Sequence, residues 1–186
     1  MKLAQRIAIG YYKTKIKGTA LLSMQKAAEQ TYRLFCTPYS GKPKRPVPPN
    51  FNHAEALNVE LDGLTIRGWR WKAKEPNARK VLVAHGFDSC SYKFDRYIQR
   101  FHQLGFEVLA FDAPAHGISD GKIVNALIYK NAMLLIEQKY GPLYAIMGHS
   151  FGGLAASLAA DRNGHAEKAD SGGTCHGNHF GRKQFF

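Results

Sequence analysis

The stretch Tyr144-Ala145-Ile146-Met147-Gly148-His149-Ser150-Phe151-Gly152-Gly153-Leu154 decides how this chain is read. Tyr144 to Met147 form a short apolar run of the kind found in buried strands, and Leu154 to Ala160 favour helix. Gly148 to Gly153 must therefore turn the chain from strand to helix. A turn that tight forces the serine into strained geometry, and only small residues on either side leave room for it. The Gly-x-Ser-x-Gly string alone is a modest signal, and its place between strand and helix makes it specific. The hydroxyl then stands above the carboxyl end of a sheet, where open α/β folds bind ligands. The helix start beneath it offers unpaired N–H groups that favour developing negative charge. These features predict Ser150 as a nucleophile, with Gly148, His149, Gly152 and Gly153 forming its turn.

Working outward, two more apolar runs read as strands, Val81–Ala84 and Val108–Phe111. Helical patterns from Tyr92 to Leu104 and from Val124 to Tyr140 separate the three runs. Short apolar strands alternating with helices predict a mostly parallel sheet with helices on both faces. Leu57, Val59 and Leu61 alternate with polar residues, Asp62-Gly63 follows, and Leu64, Ile66, Gly68 and Trp69 resume, which predicts an antiparallel hairpin leading into that sheet. His85-Gly86-Phe87 closes the first parallel strand, where a backbone N–H can face a developing oxyanion. Phe87 would donate one hydrogen bond and Phe151 the other. Asp112-Ala113-Pro114-Ala115-His116-Gly117-Ile118-Ser119 closes the second.

In this order, these motifs resemble the α/β-hydrolase superfamily: a His-Gly oxyanion loop, an Asp-x-x-Gly-x-Gly-x-Ser turn and a nucleophile elbow. One position departs, because Ala115 stands where that family usually has glycine. The resemblance covers roughly residues 55 to 168. It implies an incomplete α/β-hydrolase sheet, an N-terminal hairpin plus about three parallel strands. It also implies a serine hydrolase acting on the ester, thioester or amide bond of a small-molecule acyl substrate. Ser150 would attack the carbonyl while a later His, oriented by an acid, shuttles the proton. No metal or organic cofactor is expected, since nothing shows ligand spacing.

The other polar residues near these strand ends read differently. His149 neighbours the serine, but adjacent side chains on such a turn point apart, so it is not the expected base. His85 and His116 read as loop-bracing residues, and Asp88, Ser89 and Asp112 either line the entrance or cap helices. Gly117 belongs to the turn after the second strand.

The net charge of +12 is unevenly spread: residues 1–50 carry +9, residues 51–164 carry +2 and the last 22 carry +1. A nucleic-acid footprint, which needs a basic face on the fold itself, is not expected. Residues 1–36 read as one or two basic amphipathic helices, broken near Gly18, and residues 37–52 as an extended proline-rich linker. The helical segment reads either as packed against its own domain or as touching a membrane or a partner. No apolar run reaches the ~18 residues that spanning a bilayer needs. Cys36, Cys90 and Cys175 are odd in number and far apart, which suggests a reducing, cytoplasmic compartment.

The expected hydrolase domain runs over 53–168, and residues 169–186 read as an aberrant or disordered tail rich in Gly and His. The 36 residues after Ser150 show no buried-strand run, so at most five strands are expected. Asp161, Asp170, His165, His176 and His179 are the remaining candidates for acid and base, and Asp161 falls at the end of the elbow helix. Displaced by one nucleotide, the codons from Ala169 onward permit Leu-Ile-Leu-Val-Ala-Pro-Ala, a buried strand. The expectation is therefore a frameshift near Lys168, with the acid- and base-bearing strands lost and a sheet edge exposed, which lowers solubility. The other reading is a catalytically dead remnant, or a protein that binds membrane or partner through its N-terminal helix.

Overall fold

The protein is described by a computed structural model, which places residues 3–39, 46–161 and 184–185. Contacts divide it into two compact units, residues 1–37 and 38–186. The first unit is a pair of helices, α1 (Leu3–Leu22) and α2 (Met24–Cys36). The chain breaks between them at Ser23 rather than at Gly18. Ser23 is extended, and its hydroxyl accepts from the Lys26 N–H, capping α2. Gly18 lies inside α1, where a lone glycine is tolerated at modest cost.

The second unit is an open sheet ordered β1-β2-β4-β3-β5-β6. It is built from β1 (Glu55–Leu61), β2 (Leu64–Trp71), β3 (Lys80–Ala84), β4 (Glu107–Phe111), β5 (Ala145–Gly148) and the two-residue β6 (Gln184–Phe185). β1 and β2 pair antiparallel around Leu61↔Leu64, with Asp62 at φ 50 and Gly63 at φ 77 forming the two-residue turn. β2 runs antiparallel to β4, and β4, β3, β5 and β6 are mutually parallel. The expected hairpin and three parallel strands are all present. β6 adds a sixth strand of two residues from the predicted tail, and the rest of that tail lies outside the described residues.

Side-chain parity along the strands creates two cores. Val59, Leu61, Ile66, Leu82, Leu109, Phe111 and Ile146 face α4 (Ala126–Tyr140) and α5 (Phe151–Ala160). Trp69, Trp71, Val83, Val108 and Ala110 face the other way, toward α3 (Asp95–Gln103), Phe94 and Phe51. Phe51 lies in a 3-10 turn (Pro49–His53) and meets the rings of Trp69, Trp71 and Tyr92 edge-on at about 5 Å. The extended stretch thus ends before Pro49, because burying Phe51 in this aromatic cluster outweighs the freedom of a proline-rich chain. Gly68 is needed where β2 crosses β4, since a Cβ there would run into the Phe111 ring.

Candidate active site

The site gathers at the carboxyl ends of β3, β4 and β5. At the end of β5, Ser150 is exposed and adopts φ 52, ψ −116, a backbone state that L-residues avoid at a cost of ~1–3 kcal/mol. The turn around it holds that state in place. A Cβ on Gly148 would meet Gly153 Cα at 2.6 Å, and a Cβ on Gly152 would strike the carbonyl oxygens of Ala84 and His85. The His149 N–H donates to Ala84 O at 3.0 Å, extending the β3–β5 ladder to the brink of the turn. The Gly152 N–H donates to His149 O at 3.0 Å and closes it.

Ser150 occupies the N-cap position of α5, yet its hydroxyl makes no capping bond. Serine at an N-cap normally accepts from an N–H of the first turn. Here the positive φ turns the side chain away, leaving the hydroxyl for other chemistry. Phe151 is the first residue of α5, and its N–H has no intrahelical acceptor. Among the described residues the N–H groups of Phe87 and Phe151 donate to no backbone acceptor. The β3 loop approaches the serine closely, since a Cβ on Gly86 would lie 2.9 Å from His149 Nδ1 and 3.4 Å from Ser150 Cβ. The Phe87 and Phe151 rings meet edge-on at 5.6 Å. Such a corner, with a free hydroxyl beside unspent amides at a helix N-terminus, suits a group that gains negative charge.

Two buried histidines hold the β3 loop. His85 donates from Nδ1 to Gly86 O at 2.8 Å and accepts the Ala113 N–H at Nε2 at 2.9 Å. Burial pushes its pKa down to about 3. The Asp112 carboxylate lies 3.8 Å from His85 Nε2, but that nitrogen is already accepting a hydrogen bond. The contact is therefore not an ion pair. His116 likewise donates from Nδ1 to Pro114 O at 2.9 Å and accepts the Asp88 N–H at Nε2 at 3.0 Å, and burial lowers its pKa as well. Both imidazoles are neutral braces with both nitrogens committed.

Asp112 is fully buried and does not line the entrance. Its Oδ1 accepts from the Ser91 N–H at 2.7 Å and the Ser91 hydroxyl at 2.8 Å, and its Oδ2 from the Ile118 N–H at 3.0 Å. Burial raises its pKa, and the Ser91 and Ile118 hydrogen bonds oppose that shift. It ties the loop after β4 to the turn after the β3 loop. Gly117, at φ 54, packs against the Asp112 side chain so closely that a Cβ there would strike the carboxyl group. Ala115 sits at φ 64, the left-handed region that glycine prefers, so this departure from the family pattern carries backbone strain.

A pocket of ≈ 430 Å³ opens beside Ser150. Gly86, Phe87, Asp88, Ser89 and His149 line it, so of the residues that the sequence offered for the entrance Asp88 and Ser89 are there and Asp112 is not. Lys93, Phe94, Tyr97 and Met147 line it too, and sequence reasoning missed them. Helical spacing from Tyr92 was the signal for Lys93, Phe94 and Tyr97, and the apolar run of β5 the signal for Met147; such patterns show burial but not which residues border a cavity. Asp161 caps the C-terminal end of α5, eleven residues from Ser150 and at the far end of that helix. His165, Asp170, His176 and His179 lie outside the described residues. Among the described residues no three His, Cys, Asp or Glu side chains converge on a point where a metal could bind.

Residues 75–172 match the family described as serine aminopeptidase, S33. The chain belongs to that family. Its fold is accordingly that of the α/β-hydrolases, and it is a hydrolase-type protein by family. Over 105 residues it is 30% identical to an uncharacterized abhydrolase domain-containing protein of Dictyostelium discoideum, covering 54% of this chain and 11% of that one. Epoxide Hydrolase A from Mycobacterium thermoresistibile is similar at 24% identity and a TM-score of 0.50, over 57% of this chain and 34% of that structure. The thioesterase domain from the curacin biosynthetic pathway is similar at 24% identity and a TM-score of 0.51, over 57% of this chain and 39% of its own. This S33-family chain therefore spans well under half the length of each of these relatives. At such identities the two structures speak for the shared fold alone, not for a shared substrate.

Proposed function

We propose that this chain carries the nucleophile half of a serine hydrolase acting on ester, thioester or amide bonds. The observation that carries the reading is the strained, exposed Ser150, whose hydroxyl leaves its helix uncapped. Ser150 Oγ attacks the carbonyl carbon and gives up its proton. The carbonyl oxygen takes the negative charge, held by the N–H groups of Phe87 and Phe151. Collapse of the tetrahedral species expels the alcohol, thiol or amine and leaves an acyl-serine, which water then hydrolyses. The acyl group lies in the pocket bordered by Phe94, Tyr97 and Met147.

His85 and His116 cannot take the serine proton, because their Nε2 lone pairs already accept backbone N–H groups. In this reading His149 only shapes the turn, and the base and its orienting acid come from outside the described residues. A fluorophosphonate probe tests the proposal on the 186-residue chain. Labelling should occur, vanish in Ser150→Ala and persist in Ser157→Ala, whose hydroxyl is tied to Gly153 O further along α5. Absence of labelling in protein with intact far-UV circular dichroism would overturn it.

A further inference from the structure

α1 has two apolar faces, and only one is used within its own unit. Ile16, Thr19 and Ala20 are partly buried on the side toward α2, where the Thr19 hydroxyl lies 3.3 Å from Gln30 Oε1. On the other side Leu3, Ile7, Tyr11 and Leu22 fall together on the 3.6-residue repeat, with Gly10 and Gly18 between them. Leu3 is 72% exposed, Ile7 64% and Leu22 91%. A Cβ added at Gly10 or Gly18 would meet nothing within 4 Å, so this stripe is uncovered along its length.

The stripe has a basic border. Arg6, Lys13 and Lys17 flank it on one side and Lys15 on the other, and α1 holds no acidic residue. Residues 1–37 carry seven Lys or Arg against Glu29 alone, a net +6. The Lys15 ammonium rises over the Tyr11 ring at 5.9 Å, the disposition of a side chain whose stem lies along apolar surface while its head reaches toward polar surroundings. No helix among the described residues is long and apolar enough to cross a membrane, which leaves contact in the plane of the interface.

We propose that this face of α1 docks on an anionic lipid bilayer, with Leu3, Ile7, Tyr11 and Leu22 entering the headgroup boundary and the flanking lysines meeting lipid phosphates. Charge selects this occupant. A second copy of the helix pair would bring another +6 to the contact, whereas an anionic surface attracts each basic residue.

Co-sedimentation of the full chain with vesicles tests this. It should pellet with phosphatidylserine–phosphatidylcholine vesicles, far less with phosphatidylcholine alone, and be released as salt rises to about 0.5 M. Each basic residue is worth about fivefold in binding, so Lys13→Gln with Lys15→Gln and Lys17→Gln should weaken it about 100-fold. Ile7→Ser with Leu22→Ser, both at exposed positions, should weaken it about tenfold or more. Failure of the wild-type chain to pellet with anionic vesicles would overturn the proposal, as would wild-type binding by the Ile7/Leu22 variant. So would concentration-dependent self-association that the Ile7/Leu22 variant abolishes while vesicles bind neither form, which would identify a second copy as the occupant.

Discussion

Single residues here bear strain or unusual protonation that the surroundings hold in place. Ala115, at φ 64, is the simplest case, since its methyl group is all that opposes the turn. Ala115→Gly should raise the unfolding free energy by about 1 kcal/mol, seen as a higher denaturant midpoint with an unchanged m-value. His85 gives a pH signature. Its folded pKa is pushed down to about 3 by burial, from 6.5, so above pH 6.5 neither state holds the proton and stability is at its full value. As pH falls from 6.5 toward 3, the unfolded chain takes up a proton that the folded chain refuses. Stability should then drop by up to about 1.4 kcal/mol per pH unit from this imidazole. His116, also lowered by burial, adds to the loss, whereas Asp112, raised by burial, works in the opposite sense. Comparing urea unfolding of the wild type and His85→Gln between pH 7 and pH 5 (about two pH units) isolates the imidazole, and equal slopes would refute its assignment as a neutral brace.

At the level of elements, the junction of β3, β5 and α5 depends on close backbone approach. Gly152 lies against the carbonyl oxygens of Ala84 and His85, so α5 can start directly over the β3 loop only if that position has no side chain. Gly152→Ala should cost about 3 kcal/mol, because backbone atoms rather than a flexible side chain would have to move. Gly153→Ala should cost little, since its nearest contact for a Cβ is 3.4 Å. Thermal unfolding of the two variants checks the contrast, and similar midpoints would contradict it. The hairpin of β1 and β2 was legible beforehand because Asp62-Gly63 can adopt two positive φ values in succession. The end of the proline-rich stretch was not, because Phe51 is held by Trp69, Trp71 and Tyr92, residues distant in sequence.

Across the whole molecule, the two units differ in how much they bury. Among the described residues of the first unit only Ala27 and Cys36 are buried, whereas β3 and β4 are almost wholly so. Hydrogen exchange should therefore find the amides of α1 weakly protected and those of Leu82, Val83, Leu109 and Ala110 the slowest in the chain. Comparable protection in α1 would show that this helix is held by contacts other than those within its own unit. The sequence by itself determined the local events: a Gly-lined turn that can only pass from strand to helix, an Asp-Gly hairpin, apolar runs too short for anything but buried strands. Those are settled by backbone sterics and hydrophobic period among near neighbours. Only the tertiary structure decided that His85 and His116 spend both nitrogens on backbone, that Asp112 is buried away from the pocket, and that Lys93, Phe94, Tyr97 and Met147 border Ser150. Each of those depends on which donors and surfaces strands distant in sequence bring within about 3 Å, a hydrogen-bond length that no local pattern encodes.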